Sequence, residues 1–169
     1  LGGSFTLGAE LRGFAGMGAA GGSLAIQAPL IQIGGGTSNP RVLLLDPDFF
    51  NQGGFSSFSL VGIGEAKGTD YTPGLVIAPG TVIEPVVQNY VAVPFGNKGG
   101  MSLRYVTLPE GLRSPLALDF GALGSLDDFT RLLKVRGDIV MGAGALIHAG
   151  PRGSVTFHGD TVSILGSVF

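Results

Sequence analysis

Few side chains in this sequence are spaced for chemistry, and each such set has a plainer use beside it. Arg136, Gly137 and Asp138 spell RGD, a tripeptide that can dock integrin-type receptors. The same residues suit a helix stop at Gly137 and the opening of a strand at Asp138. Asp46 with Asp48, and Asp127 with Asp128, are carboxylate pairs. Sugar cleavage needs two such groups about 5–9.5 Å apart in a cleft, one of them with a raised pKa. Both pairs also fit local capping and turns. His148 and His158 stand ten apart, without cysteine or acid at metal-ligand spacing, and are expected to face solvent or stack. The glycine-rich "GIGEAKGTD" (62–70) has neither the GxxxxGK[ST] phosphate-loop spacing nor a dinucleotide fingerprint, and reads as a flexible loop. No catalytic, cofactor-binding or metal-binding residue is therefore assigned. The RGD at Arg136–Asp138 is kept as the one adhesion candidate.

The elements that would position these residues are marked by glycine. The chain of 169 residues holds 31 glycines and 44% apolar residues, but only 13% charged ones. Disordered chains show the opposite balance, and the glycines follow no three-residue period. Glycine between short β-branched and aromatic runs predicts an all-β fold with many turns. Net charge is −2 and the ten basic residues are scattered, so nucleic-acid binding is not expected. The absence of cysteine excludes disulfides and thiolate metal sites. No window reads as a transmembrane helix, and a first residue of leucine suggests a processed product or a piece of a longer chain.

The repeats narrow the fold. "LVIAPGTVIEP" (75–85) aligns with "IVMGAGALIHA" (139–149) at an offset of 64, pairing Leu75 with Ile139, Ile77 with Met141, Ile83 with Ile147 and Gly80 with Gly144. A second unit recurs as "GSFTL" (3–7), "GSLAI" (22–26) and "GSVTF" (153–157). Short strand, small-residue corner, short strand is the pattern of a parallel β-helix, here predicted as a right-handed solenoid. Coils of roughly 19–24 residues would make the offset of 64 about three coils. Sandwich and barrel folds also produce glycine-rich alternation, but a lipid-facing barrel would want aromatic girdles, and there is no Trp and only three Tyr.

Coils are expected over 1–85, with loop insertions, and over 137–169, in one continuous domain. Between them, 86–136 is expected to stand outside the repeats. Residues 86–109 read as strand, "GNKGG" turn and strand, a projecting hairpin. "SLDDFTRLLKVRG" (125–137) reads as a short amphipathic helix with Leu126, Phe129, Leu132 and Leu133 on one face. "DPDFFNQGG" (46–54) reads as a single helical turn capped by Asp46, with Pro47 first. The last residues, with apolar Val162, Ile164, Val168 and Phe169, look like an uncapped strand. End-to-end self-association, or continuation into further coils, is expected there.

The run "GDIVMGAGALIHAGPRGSVTFHGDTVSILGS" (137–167) resembles the coils of filamentous haemagglutinin-like large exoproteins of Gram-negative bacteria. "LPEGLRSPLALDF" (108–120) and "FFNQGGFSSFSLVG" (49–62) resemble a non-repeat stretch of one branch of that family. The resemblance implies a segment of a long fibrous adhesin, exported by two-partner secretion through an outer-membrane partner transporter and displayed at the cell surface or released. It also implies a host-cell or matrix receptor, or a cell-surface glycan, as partner. The expected function is structural and adhesive, not enzymatic; the alternative is a carbohydrate-active β-helix enzyme, a polysaccharide lyase or hydrolase.

Overall fold

The computed structural model describes residues 10–67, 69–96, 99–126 and 133–169, with the backbone alone at Lys67 and Leu133. Alternation of apolar and small or polar residues makes almost every described element a strand, and the chain is all-β. It opens with β1 (Ala15–Gly16), β2 (Ser23–Ala28), β3 (Leu30–Ile33) and β4 (Val42–Leu45). A 3-10 turn, Pro47–Asn51, follows, and Asp46 caps it by accepting from the Asp48 amide at 2.9 Å. Next come β5 (Ser57–Gly62), β6 (Glu65–Lys67), β7 (Asp70–Thr72), β8 (Leu75–Ile77) and β9 (Val82–Ile83). The long strands β10 (Gln88–Phe95) and β11 (Gly100–Thr107) precede β12 (Ala117–Ala122), β13 (Ser125–Leu126) and β14 (Leu133–Val135). The chain closes with β15 (Asp138–Met141), β16 (Leu146–Ile147), β17 (Ser154–His158), β18 (Thr161–Ile164) and β19 (Ser167–Val168).

Three sheets are wholly parallel, in the orders β2-β5-β12-β17, β4-β3-β8-β15-β18 and β9-β16-β19. Their registers turn sequence alternation into straight ladders of inward side chains. In the first sheet Ile26, Leu60, Phe120 and Phe157 follow one another. In the second, Leu43, Ile31, Leu75, Ile139 and Val162 form one ladder, and Leu45, Ile33, Ile77, Met141 and Ile164 the next. Ile83, Ile147 and Val168 form the ladder of the third. Interior members such as Leu60, Phe120, Leu75, Ile139 and Ile147 are completely buried, and together they build the core. Rings at Phe58, Phe50, Phe120 and Phe157 run through it in successive contacts, with centroids 5.1, 6.3 and 5.4 Å apart.

The apolar triplets of 137–150 find their explanation here. "IVM" lies in β15, "LI" is β16, and Gly144 between them takes a φ of 71°. Gly80, at the matched corner between β8 and β9, takes 69°, a conformation that disfavours side chains with a Cβ. Every aligned apolar pair of the 64-residue repeat is a direct strand partner. The offset therefore separates adjacent strands, not strands three layers apart. The path between them is lengthened by the β10–β11 and β13–β14 hairpins, which composition alone does not measure.

Three expectations change. The segment 86–136 is not outside the repeats, because β12 is the strand that joins β5 to β17. At the ends of the expected helix, β13 and β14 pair antiparallel, Ser125 with Val135 and Leu126 with Leu133. The middle of that helix, 127–132, lies outside the described residues. A short isolated helix has little stability of its own, whereas these ends gain a cross-strand partner, and β14 lies against β6. The expected loop at 62–70 contains β6, which pairs antiparallel with β7 in the same position along the chain, between strands of the first and second sheets. The hairpin over 86–109 is present as β10 and β11, in register from Gln88↔Thr107 to Phe95↔Gly100.

Candidate functional site

The RGD tripeptide sits where the β13–β14 hairpin returns to β15. Arg136 Nε donates to both carboxylate oxygens of Asp138, at 2.7 and 2.8 Å, and its guanidinium lies over the Tyr71 ring, 5.0 Å from the centroid. The hydrogen bond to Asp138 holds the Arg136 guanidinium above its usual pKa. The Asp138 side chain is 6% exposed, and Asp160 accepts from the Gly137 amide at 2.9 Å. All three residues thus serve the corner. A receptor would have to extract the carboxylate from its internal partner, so the geometry offers no free RGD.

The other sequence candidates do not converge. Asp46 and Asp48 serve the 3-10 turn, where Asn51 donates to Asp48 at 3.4 Å. Asp127 and Asp128 lie outside the described residues. His148 is exposed, and its backbone amide pairs with the Ile83 carbonyl. His158 approaches Asp119, Nδ1 to Oδ1 at 3.1 Å, and Ser59 Oγ donates to the other Asp119 oxygen at 3.0 Å. The imidazole crosses β12 above Gly121, where a Cβ would meet its Nε2 at 2.5 Å. The acid lies between the hydroxyl and the imidazole. A nucleophilic relay needs the histidine in the middle, so this line is a surface clasp joining three neighbouring strands. Among the described residues no group of three or more His, Asp or Glu is placed to hold a metal.

Among the described residues, several strongly exposed apolar side chains gather on the β10–β11 hairpin. Cross-strand partners share a face, so Tyr90 with Tyr105, Ala92 with Leu103 and Pro94 with Met101 form one uncharged strip. Met101, Leu103 and Tyr105 are 64%, 70% and 61% exposed. At the base of the strip, Phe14 stacks on Tyr105 with centroids 5.3 Å apart and tilts against Tyr90 at 5.1 Å. The hairpin root is fixed by Asn89, completely buried, whose Nδ2 donates to the carbonyls of Gly16 and Ala19 at 3.2 Å each. The strip runs into a cleft of about 620 Å³ lined by Phe14 and Tyr105 together with Leu24, Leu43, Leu45 and Phe55. Glu10 also lines it, and a hydrogen bond from Arg12 at 2.8 Å lowers the Glu10 pKa.

Sequence reasoning found the hairpin but not its apolar face, nor Asp119, Ser59 and Asp160. The face was signalled by Met101, Leu103 and Tyr105 at every second position of "MSLRYVT". Comparison with protein-family models, curated proteins and solved structures finds no significant match to this chain.

Proposed function

We propose that this chain is a stretch of right-handed parallel β-helix, working as a non-catalytic structural and adhesive segment of a large secreted bacterial surface exoprotein of the filamentous haemagglutinin-like kind. The observation that carries the reading is the common register of the three parallel sheets. Successive strands of the chain visit the first, second and third sheets in turn: β5, β8 and β9, then β12, β15 and β16, then β17, β18 and β19. Each round is one coil, and the hairpins are insertions at its corners. Such a body is a rigid spacer, because every coil is tied to the next by backbone hydrogen bonds and shared core ladders.

The adhesive element in this reading is the β10–β11 hairpin, whose Tyr105, Leu103 and Met101 suit an apolar protein surface on a host cell or matrix. Leu103, Met101, Ala92 and Pro94 offer no hydrogen bonds to sugar hydroxyls, and only Tyr90 and Tyr105 at the base of the strip could serve a glycan, so an apolar protein surface fits more of the strip. Export through an outer-membrane partner transporter and display at the cell surface belong to the same proposal and rest on the sequence resemblance. Beads coated with the chain should bind host cells or matrix-coated surfaces, and Leu103→Asp with Tyr105→Asp should remove most of that binding. Equal binding by the variant would remove the hairpin from the account. Release of reducing sugar or unsaturated uronide from polysaccharides would replace the structural reading by an enzymatic one.

A further inference from the structure

β11 is an edge strand of the projecting hairpin: it pairs with β10 on one side and, among the described residues, with nothing on the other. In an antiparallel strand alternate residues turn both amide and carbonyl to the same side. Every second residue of Gly100–Thr107 therefore offers an unpaired donor and acceptor. Native edges are commonly guarded by proline, a bulge or several charges. β11 has no proline and no bulge, running in unbroken register from Gln88↔Thr107 to Phe95↔Gly100, and Arg104 is its one charged residue. Met101, Leu103 and Tyr105 are exposed along it.

We propose that two copies of this chain pair through β11, antiparallel about a two-fold axis at Leu103, to make one four-stranded sheet of order β10-β11-β11-β10. The strand's own residues select this register. An axis between two residues would set outward-facing backbone groups against groups already bonded to β10, so the axis must pass through a residue. At Arg104 it would place two arginines directly opposite, a destabilising like-charge pair. At Ser102 it would pair only Gly100–Arg104. At Leu103 it pairs the whole of Gly100–Val106, setting Leu103 beside the copy's Leu103, Met101 beside its Tyr105 and Ser102 beside its Arg104. Directly opposed residues share a face, so the apolar strips of the two hairpins join side by side and stay open to solvent. Antiparallel pairing sends the two bodies to opposite ends. The end of the copy's hairpin then lies beside Thr107, which is exposed like Pro109–Leu112 after it. Each β11 has one free edge, so the contact is isologous and closes at two. Seven residues a side (Gly100–Val106) is well below the roughly 20–30 of a standard stable interface, so the pair is reversible and concentration-dependent. The pairing does not depend on what the strip binds.

Sedimentation over a concentration series should give a monomer–dimer equilibrium with nothing larger. Leu103→Lys and Leu103→Glu each set like charges opposite at the axis and should weaken the pair several-fold, whereas an equimolar mixture of the two should restore it, because opposite charges then meet. Leu103 is 70% exposed, so both variants should fold as the parent does, which far-UV circular dichroism and melting curves establish. The chain has no cysteine, so single cysteines report the register. Opposed Cα atoms of an antiparallel pair lie about 4.5–5.5 Å apart, within disulfide reach. Under mild oxidation Leu103→Cys should form an intermolecular disulfide at least about tenfold faster than Met101→Cys, whose two copies would lie four residues, roughly 14 Å, apart. A wild-type monomer at every concentration, a dimer that Leu103→Lys leaves intact, a mixture that restores nothing, or equal cross-linking at the two positions would overturn the proposal. So would mass growing past the dimer, which would point to the outer edge of β10. Bead binding retained by a monomeric wild type would sink the pairing and leave the adhesive reading standing.

Discussion

Ile139 and Val162 occupy one ladder, one layer apart, and differ chiefly in whether another strand covers them. Ile139 is completely buried between Leu75 and Val162, so Ile139→Ala removes three carbons and leaves a cavity with fixed walls. Substitutions of this type cost about 2–5 kcal/mol. At about 2–4 °C per kcal/mol for a chain of this size, the melting temperature should fall by roughly 4–20 °C. Val162 is 38% exposed, and Val162→Ala removes two carbons beside open solvent. At about 0.8 kcal/mol per buried carbon, discounted for exposure, it should cost roughly 1 kcal/mol. Both variants are to be melted beside the parent by far-UV circular dichroism, at a concentration where sedimentation gives a monomer. Equal losses, or a larger loss at Val162, would refute the assignment of Val162 to an uncovered layer.

Asn89→Ala removes one of two donors to each of the Gly16 and Ala19 carbonyls, which keep the Ala19 amide and the Ser114 hydroxyl, and should cost roughly 1 kcal/mol. Amide exchange should then quicken at the base of the hairpin, and unchanged protection there would show that Asn89 does not anchor it. Gly121→Ala should displace the His158 imidazole, change its NMR resonances and leave stability within about 0.5 kcal/mol, because the obstructing group is a flexible surface side chain. A loss of several kcal/mol would place the clash in the backbone. Glu10 has its folded pKa lowered by Arg12, so the stability it adds is present above its ordinary value of 4.5 and disappears as pH falls through the lowered folded value. Glu10→Gln should therefore narrow the difference in melting temperature between neutral and acidic pH; an identical difference would dismiss the pair as a contributor.

The strand partners most legible in the sequence were those with glycine-marked corners. Matching Gly80 to Gly144 fixed the phase of "LVI" against "IVM", and the paired residues followed one for one. The spacing between them was misread because hairpins inserted at corners change length without changing phase. β5 and β12 escaped the "GS" series because "SSFSL" and "SPLAL" open without glycine, although their inward Phe58, Leu60, Leu118 and Phe120 alternate in the same way. At 125–135 the spacing of Leu126 and Leu133 suited a helix equally well, and the strand state of the ends is favoured by their mutual pairing and by the contact of β14 with β6, which is distant in sequence. The RGD was visible as letters, but nothing local reveals that Asp138 turns inward onto Arg136. The apolar hairpin face was readable from alternation, yet which face is free depends on what covers Asn89 and Val106 on the other side.

Strands far apart in sequence stack in parallel, in one register, around a shared core. The chain has no cysteine, which makes engineered pairs a clean probe. Parallel neighbours lie about 4.7–4.9 Å apart, within the Cα separation of about 4.4–6.8 Å that a disulfide spans. One pair is placed in each sheet: Ser59→Cys with Asp119→Cys, Val76→Cys with Val140→Cys, and Val82→Cys with Leu146→Cys, all direct partners. Mild oxidation followed by mass mapping should give intramolecular disulfides in all three, while Ser57→Cys with Asp119→Cys, two residues out of register, should remain reduced. Cross-linking of the shifted pair, or failure of the in-register pair in any one sheet, would contradict the stacked arrangement.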